Sequence, residues 1–154
     1  MNKEPHGAEE CSLPDHPNDP ELIRKIFGEY SSIAVVGLSG KPDRDSYRVA
    51  AYLKDQGYRI IPVNPRLDVL LGEKCRKSLG DVPLRVDVVN VFRKPSALPE
   101  LADEIIAARP RAVWFQIGVV NNEAAKKITD AGIDLVQNVC MKIEHQKLKH
   151  IALP

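Results

Sequence analysis

Hydrophobic positions along the chain follow two alternating patterns. Short, unbroken apolar runs rich in β-branched residues predict buried strands. They span residues 33–36, 58–63, 86–92, 112–117 and 133–136. Between them, apolar residues recur every three or four positions, which predicts amphipathic helices. These helices span residues 20–30, 47–56, 98–108 and 123–131.

The alternation of strand and helix patterns predicts the fold class. Strands that are apolar along their whole length, joined by crossover helices, are typical of a mainly parallel sheet covered on both faces. Right-handed crossovers make such a sheet doubly wound. Gly57 and Gly132 each follow a helical pattern and precede a strand, as helix-ending glycines do. We therefore expect an α/β, Rossmann-like, doubly wound fold.

Two segments depart from this alternation. Residues 63–86 form an irregular crossover, in which 69–75 predict a short extended segment or turn and 78–83 predict a helical turn. Residues 1–17 are rich in Pro, Asp, Glu and His, a composition typical of a flexible N-terminal leader. Residues 18–154 are then expected to form one domain.

The composition of the chain limits which binding partners and which cellular compartment are expected. The 22 Lys and Arg residues nearly balance 21 Asp and Glu, a net charge of +1 that favours neither nucleic acid nor an anionic membrane as partner. The apolar runs are far shorter than the ~20 residues of a membrane helix, and the first residues lack a secretory pattern, so we expect a cytoplasmic protein. Three widely spaced cysteines indicate reduced thiols, and four histidines near the chain ends are expected at the surface without metal-ligand spacing.

Candidate chemistry lies after the strands, because open parallel sheets bind ligands beyond the carboxyl ends of their strands. The loop after the first strand, residues 37–46, carries Gly37, Ser39 and Lys41, and Asp45 or Ser46 is expected to cap the next helix. Small residues allow a phosphate close to the backbone. The loop matches neither the dinucleotide nor the triphosphate fingerprint, which argues against NAD and ATP. It is equally compatible with a plain strand-to-helix turn.

The other strand ends add further polar groups. After the second strand, Arg66 offers a planar fork to a ribose phosphate, as found in coenzyme A and NADP, or is an ordinary solvated charge. Phe92 at the third strand end is either core or ligand-facing. Gln116 at the fourth is either hydrogen-bonded to a loop or directed at a ligand. The convergence of Ser39, Lys41, Arg66, Arg93 and Gln116 on one edge predicts a polyanionic ligand.

Five ordered motifs carry a resemblance to a known family. They are IAVVGLS at 33–39, VAAYLKDQGYRIIPVNP at 49–65, VVNVFRKP at 88–95, VWFQIG at 113–118 and CMKIEH at 140–145. Over residues 20–146 the chain resembles the stand-alone bacterial and archaeal CoA-binding proteins, which are similar to the CoA-binding domain of the succinyl-CoA synthetase α subunit and of ADP-forming acyl-CoA synthetases. The resemblance implies a five-stranded sheet with coenzyme A, or an acyl-CoA, across the strand ends.

The resemblance also implies roles for individual residues. Phosphates or pantetheine would lie on the first loop, the adenosine and its phosphate beside the second strand end, the adenine side beside the third, and the pantetheine arm beside the fourth. The implied residues, in that order, are Gly37, Ser39, Lys41, Ser46; Val63, Asn64, Pro65, Arg66; Phe92, Arg93, Pro95; and Gln116, Gly118. Relatives commonly carry Asp-Arg-Cys where this chain has Asn138, Val139 and Cys140.

Three functions follow as alternatives. The first is a non-catalytic module that binds a small CoA ligand, as a homodimer or beside a partner enzyme, because no nucleophile and base stand at recognisable spacing. The second is an NADP-type oxidoreductase, and the third is an interaction protein with a degenerate cleft. A thiol at Cys140 would be either a buried structural group or a partner of the CoA thiol in a mixed disulfide.

Overall fold

The computed structural model describes residues 14–15 and 17–152, without the side chains of residues 151 and 152. Of the expected leader, only residues 14, 15 and 17 fall within this range, so its predicted flexibility lies outside the described residues. Asp15 touches the body of the domain, since its backbone N–H donates to Oδ1 of Asn122 at 3.1 Å. No helix in this described part of the chain is long and apolar enough to cross a bilayer.

One parallel sheet forms the centre of the described structure, and its five strands confirm the expected fold class. These strands are β1 (Ser32–Val36), β2 (Arg59–Val63), β5 (Val88–Val91), β6 (Ala112–Phe115) and β7 (Asp134–Gln137). Their spatial order is β2-β1-β5-β6-β7. Because β1 lies between β2 and β5, the chain reverses its winding direction beside β1, and a ligand crevice is expected there.

Helices cover both faces of the sheet. They are α1 (Pro20–Glu29), α2 (Asp45–Asp55), α3 (Leu98–Ala108), α4 (Asn122–Asp130) and α5 (Met141–Ala152). Alternate strand residues point to opposite faces. Val36, Val91 and Phe115 pack in one apolar core with residues of α3 and α4. Ile33, Val35 and Trp114 pack in the other with α1, α2 and α5.

The irregular crossover contains a small hairpin and a helical turn, as its pattern predicted. Strands β3 (Val69–Leu70) and β4 (Glu73–Lys74) pair antiparallel, and Leu71 and Gly72 between them both have positive φ, which suits a two-residue hairpin. A 3-10 helix follows at Leu79–Asp81. Between these parts Arg76 forms a parallel bridge to Val63. The hairpin chain thus returns to the carboxyl end of β2.

Candidate functional site at the carboxyl edge of the sheet

The register of the sheet aligns the strand ends. Val63 is opposite Val36, Val36 opposite Val91, Val91 opposite Phe115, and Phe115 opposite Gln137. The residues immediately beyond these positions form what we call the strand-end row, and they are Asn64, Gly37, Phe92, Gln116 and Asn138. Backbone hydrogen bonds continue into the row, for example from Phe92 N–H to the Val36 carbonyl at 2.9 Å. The register thereby brings one residue from each strand end into line.

Gly37 stands at the tightest point of the row. Its φ is +87°, and a Cβ built on it would lie 2.3 Å from the Phe92 carbonyl oxygen. No side chain fits at that distance, so only glycine lets β1 and β5 end this close together.

Ser46 shapes the loop between β1 and α2. Its buried Oγ accepts a hydrogen bond from Ser39 N–H at 2.9 Å, and Oγ of Ser39 accepts one from Lys41 N–H at 3.0 Å. The expectation that Asp45 or Ser46 caps α2 is wrong. Helix α2 begins at Asp45, Arg44 occupies the N-cap position, and no side chain makes a capping hydrogen bond there. Because Ser46 Oγ accepts from the loop instead, it holds the loop in a compact turn.

Asn64 likewise fixes the backbone at the end of β2 through hydrogen bonds of its side chain. Its Nδ2 donates to the Leu38 carbonyl at 2.9 Å, and its Oδ1 accepts from Arg66 N–H at 2.7 Å and from Leu67 N–H at 3.2 Å. The side chain therefore joins the end of β2 to the loop after β1. It also turns the chain so that Pro65 and Arg66 are exposed beside the crevice.

A groove of about 400 Å³ opens beside these residues, on the sheet face covered by α3. We call it the cationic groove. Its charged lining consists of three cations, Arg66, Lys77 and Arg93, and one carboxylate, Glu104. Gly37, Val63, Asn64 and Pro65 complete its contact with the strand ends. Such an excess of positive charge favours a multiply charged anion.

The helices add to this positive potential. Helices α2, α4 and α5 begin shortly after the carboxyl ends of β1, β6 and β7, and α3 begins after a short 3-10 helix, Pro95–Ala97, beyond β5. The N-terminus of a helix carries a partial positive charge. Four such ends therefore face the edge that carries the cationic groove.

Six of the expected site residues line the cationic groove. They are Gly37, Val63, Asn64, Pro65, Arg66 and Arg93. Lys77 and Ser78 also line it, although neither is among the site residues that the sequence predicts. Nothing local could have indicated them, because they reach the groove through the bridge between Arg76 and Val63. That pairing joins residues 13 positions apart.

The remaining expected residues lie elsewhere on the same edge. Phe92 is half-buried and packs against the core beneath α1, α2 and α5, while the Pro95 carbonyl accepts from Asn121 Nδ2 at 3.0 Å. Gly118 is exposed, and its N–H donates to Oδ1 of Asn138 at 2.9 Å. Asn138 has a φ of +65°. Asn138 thus holds the loop after β7 against the loop after β6.

Gln116 is buried and hydrogen-bonded to protein. Its Nε2 donates to Oδ1 of Asn90 at 2.8 Å, and its Oε1 accepts from Met141 N–H at 3.4 Å. With a relative exposure of 4%, the side chain is enclosed by β5, β6 and the start of α5. Gln116 is therefore hydrogen-bonded, as one of the two expectations had it, but its partners belong to β5 and to the start of α5 and not to a loop.

The expectation that the histidines lie at the surface is wrong for His145 on α5. His145 is half-buried rather than at the surface, and it lies among the rings of Phe27, Tyr52 and Tyr58. Its Nδ1 lies 2.8 Å from the Tyr52 hydroxyl. Burial, with a smaller contribution from the charge of Lys149, lowers the pKa of His145. The terminal position of this histidine in the sequence concealed its role in packing α5.

Comparison with known proteins places this geometry in a family. Residues 31–146 match the family model described as the CoA binding domain. The chain belongs to the CoA-binding domain family. The match includes all of the strand-end row and the residues that line the cationic groove.

Three relatives illustrate the range of the family. The chain is 40% identical to the uncharacterized protein YneT of Bacillus subtilis, over 82% of this chain and 94% of that protein. It is 32% identical to an ADP-forming acetate–CoA ligase of Methanocaldococcus jannaschii, over 52% of this chain but only 11% of the ligase. A hypothetical protein from Pyrococcus horikoshii shares the fold with a TM-score of 0.83 and 41% identity, over 89% of this chain and 96% of that one.

Proposed function

We propose that this chain binds coenzyme A, free or acylated, along the carboxyl edge of its sheet and works as a non-catalytic binding or regulatory module. The cationic groove carries the proposal, because Arg66, Lys77 and Arg93 outnumber the single carboxylate of Glu104 beside the strand-end row. Coenzyme A bears a ribose phosphate and a pyrophosphate. In a CoA-binding domain, this groove supplies the charge that such a ligand needs.

Each part of the ligand has a place in this proposal. The ribose phosphate lies in the cationic groove beside Arg66, and the adenine lies beside Phe92, Arg93 and Pro95. The pyrophosphate lies against the loop that Ser46 holds, beside the side chain of Lys41. The pantetheine arm passes over exposed Gly118, and Gln116 acts from below by holding the start of α5.

The placement of reactive side chains supports a binding role. Cys75 is buried, and burial raises the pKa of its thiol, which disfavours the thiolate that a nucleophile needs. His145 contacts the Tyr52 hydroxyl within an aromatic cluster. Cys140 is half-buried just before α5, packed against the core on that face of the sheet.

Thermal unfolding with coenzyme A, acetyl-CoA, NADP and ATP at equal concentration tests the proposal. A ligand at 100 times its Kd stabilises the folded state by about 2.7 kcal/mol. For a domain of this size, we expect Tm to rise by roughly 5 to 10 °C with the CoA species only. A shift with NADP alone would contradict the proposal and support an oxidoreductase. No shift with any ligand would instead support the interaction protein.

A further inference from the structure

Lys77 reaches the cationic groove from a part of the chain remote from the strand ends. The Asn64 N–H donates to the Arg76 carbonyl at 2.9 Å, and the Arg76 N–H donates to the Pro62 carbonyl at 2.9 Å. These two bonds fix the backbone next to Lys77 against the end of β2. The position of Lys77 is therefore set by the sheet and not by the exposed hairpin.

The side chain of Lys77 is directed toward the same turn that presents Arg66. Its Nζ donates to the Pro65 carbonyl at 3.2 Å. The nearest carboxylate to Nζ among its ion pairs is Asp68 at 3.8 Å, and the Asp68 side chain is 96% exposed. An ammonium has three donors, and such an exposed, distant pair holds it weakly. Lys77 thus retains donors for a ligand in the groove.

The pairing of Lys77 with Arg66 suits a phosphate monoester. Such a group carries close to two negative charges at neutral pH. Arg66 supplies a planar guanidinium and Lys77 a compact ammonium, and both line the groove together with Pro65. A diester phosphate has only one charge and two free oxygens, so it gains less from a pair of cations.

We propose that Lys77 is a specificity-determining residue, a proposal that rests on the proposed function. Together with Arg66, Lys77 binds the ribose phosphate monoester of the ligand. It thereby selects coenzyme A over dephospho-CoA. The two ligands differ only by that monoester. Lys77 should therefore contribute to binding of the first and very little to binding of the second.

Calorimetric titration of wild type and Lys77→Met with both ligands tests this inference. Methionine keeps an apolar stem of similar length and removes the charge. We expect Kd for coenzyme A to rise about fivefold, which corresponds to the loss of one exposed ion pair of about 1 kcal/mol. Kd for dephospho-CoA should change less than twofold, and Lys77→Arg should restore most of the difference.

Lys74→Met is the matched control, because Lys74 is an exposed cation at the end of β4, close to Lys77 in sequence but outside the groove lining. It should leave the ratio of the two Kd values as in wild type. Equal losses for both ligands in Lys77→Met would overturn the inference, since they would mean that Lys77 only supports the Pro65 turn. An unchanged Kd for coenzyme A would also overturn it, while the proposed function would stand. A wild-type protein that binds neither ligand would overturn both.

Discussion

Individual residues at the strand ends act mainly by fixing the backbone around the site. Ser46 and Asn64 each tie a loop to its neighbour through the side chain. Gly37 acts through its lack of a side chain, because the Phe92 carbonyl occupies the space that a Cβ would need. At this scale, the site depends on polar groups and small residues whose partners are backbone atoms.

Replacing Gly37 by alanine should therefore destabilise the fold more than the same change at Gly118. Both glycines have positive φ, which costs an alanine about 1–2 kcal/mol. Only at Gly37 does the new Cβ meet backbone, and such overpacking adds about 1–3 kcal/mol. Urea unfolding of the two variants measures the difference, and equal losses would show that β1 and β5 can separate at little cost.

Among the elements, α5 is attached to the rest of the domain in an unusual way. His145 packs against Phe27 of α1 and Tyr52 of α2, and Lys149 reaches Gln56 just beyond α2. Lys142 lies over the Tyr52 ring with Nζ 5.6 Å from its centroid. The histidine therefore joins three helices while two lysines of its own helix face the same surface.

This arrangement predicts an acid-sensitive attachment of α5. Because the pKa of His145 is lowered by folding, the unfolded chain binds its proton first, and stability falls as pH drops below the ordinary histidine value of about 6.5. Protonation also leaves Nδ1 able only to donate, so its contact with the Tyr52 hydroxyl then requires the hydroxyl as acceptor. Urea unfolding between pH 7.5 and 5 should show a loss of stability in wild type and a smaller one in His145→Phe.

The exposed His150 of the same helix provides the control. His150→Phe should retain the wild-type dependence on pH, because it leaves the aromatic cluster intact. The pH range stays above the titration of Asp87: despite its burial, hydrogen bonds from Ser31, Ser32 and Arg111 lower the pKa of that carboxyl. An identical slope in wild type and His145→Phe would refute the acid-sensitive attachment.

For the molecule as a whole, charge is balanced in sum but not in distribution. The net charge is +1, yet the cationic groove and four helix N-termini lie at one edge of the sheet. The total therefore conceals a local positive field of the kind that attracts anionic ligands. Such a field at exposed residues is screened by salt.

Binding of coenzyme A should accordingly weaken as salt is added. Three exposed cations contribute up to about 1 kcal/mol each. Raising NaCl from 50 to 500 mM should screen about 1 kcal/mol of this sum, which increases Kd about fivefold. Dephospho-CoA, with a smaller charge, should show a smaller increase. Fluorescence or calorimetric titration across this range checks the prediction. A Kd that does not respond to salt would place the ligand away from the cationic groove.

The sequence by itself determined the five strands of the sheet, the first four helices and their order along the chain. Helix α5 (Met141–Ala152) is not among the predicted helices. Unbroken apolar strands such as 33–36 and 112–117, separated by helical spacing, have only one economical arrangement, a parallel sheet with crossover helices. Polar residues directly after those strands, including Asn64, Arg66 and Arg93, could be assigned to the carboxyl edge because parallel strands all end there. Five motifs in order then sufficed for the family, which the comparison confirmed.

Only the tertiary structure decided which side chains meet. Lys77 joins the groove through the bridge between Arg76 and Val63, and His145 joins the aromatic cluster through the packing of α5. Ser46 accepts a hydrogen bond from Ser39 N–H, whereas the sequence predicted a helix cap. Gln116 donates to Asn90, whereas the sequence also allowed a ligand as its partner. Strand and helix patterns arise from neighbours along the chain, whereas these contacts arise from register and packing between segments far apart in sequence. The local periodicity of the sequence therefore cannot predict these contacts.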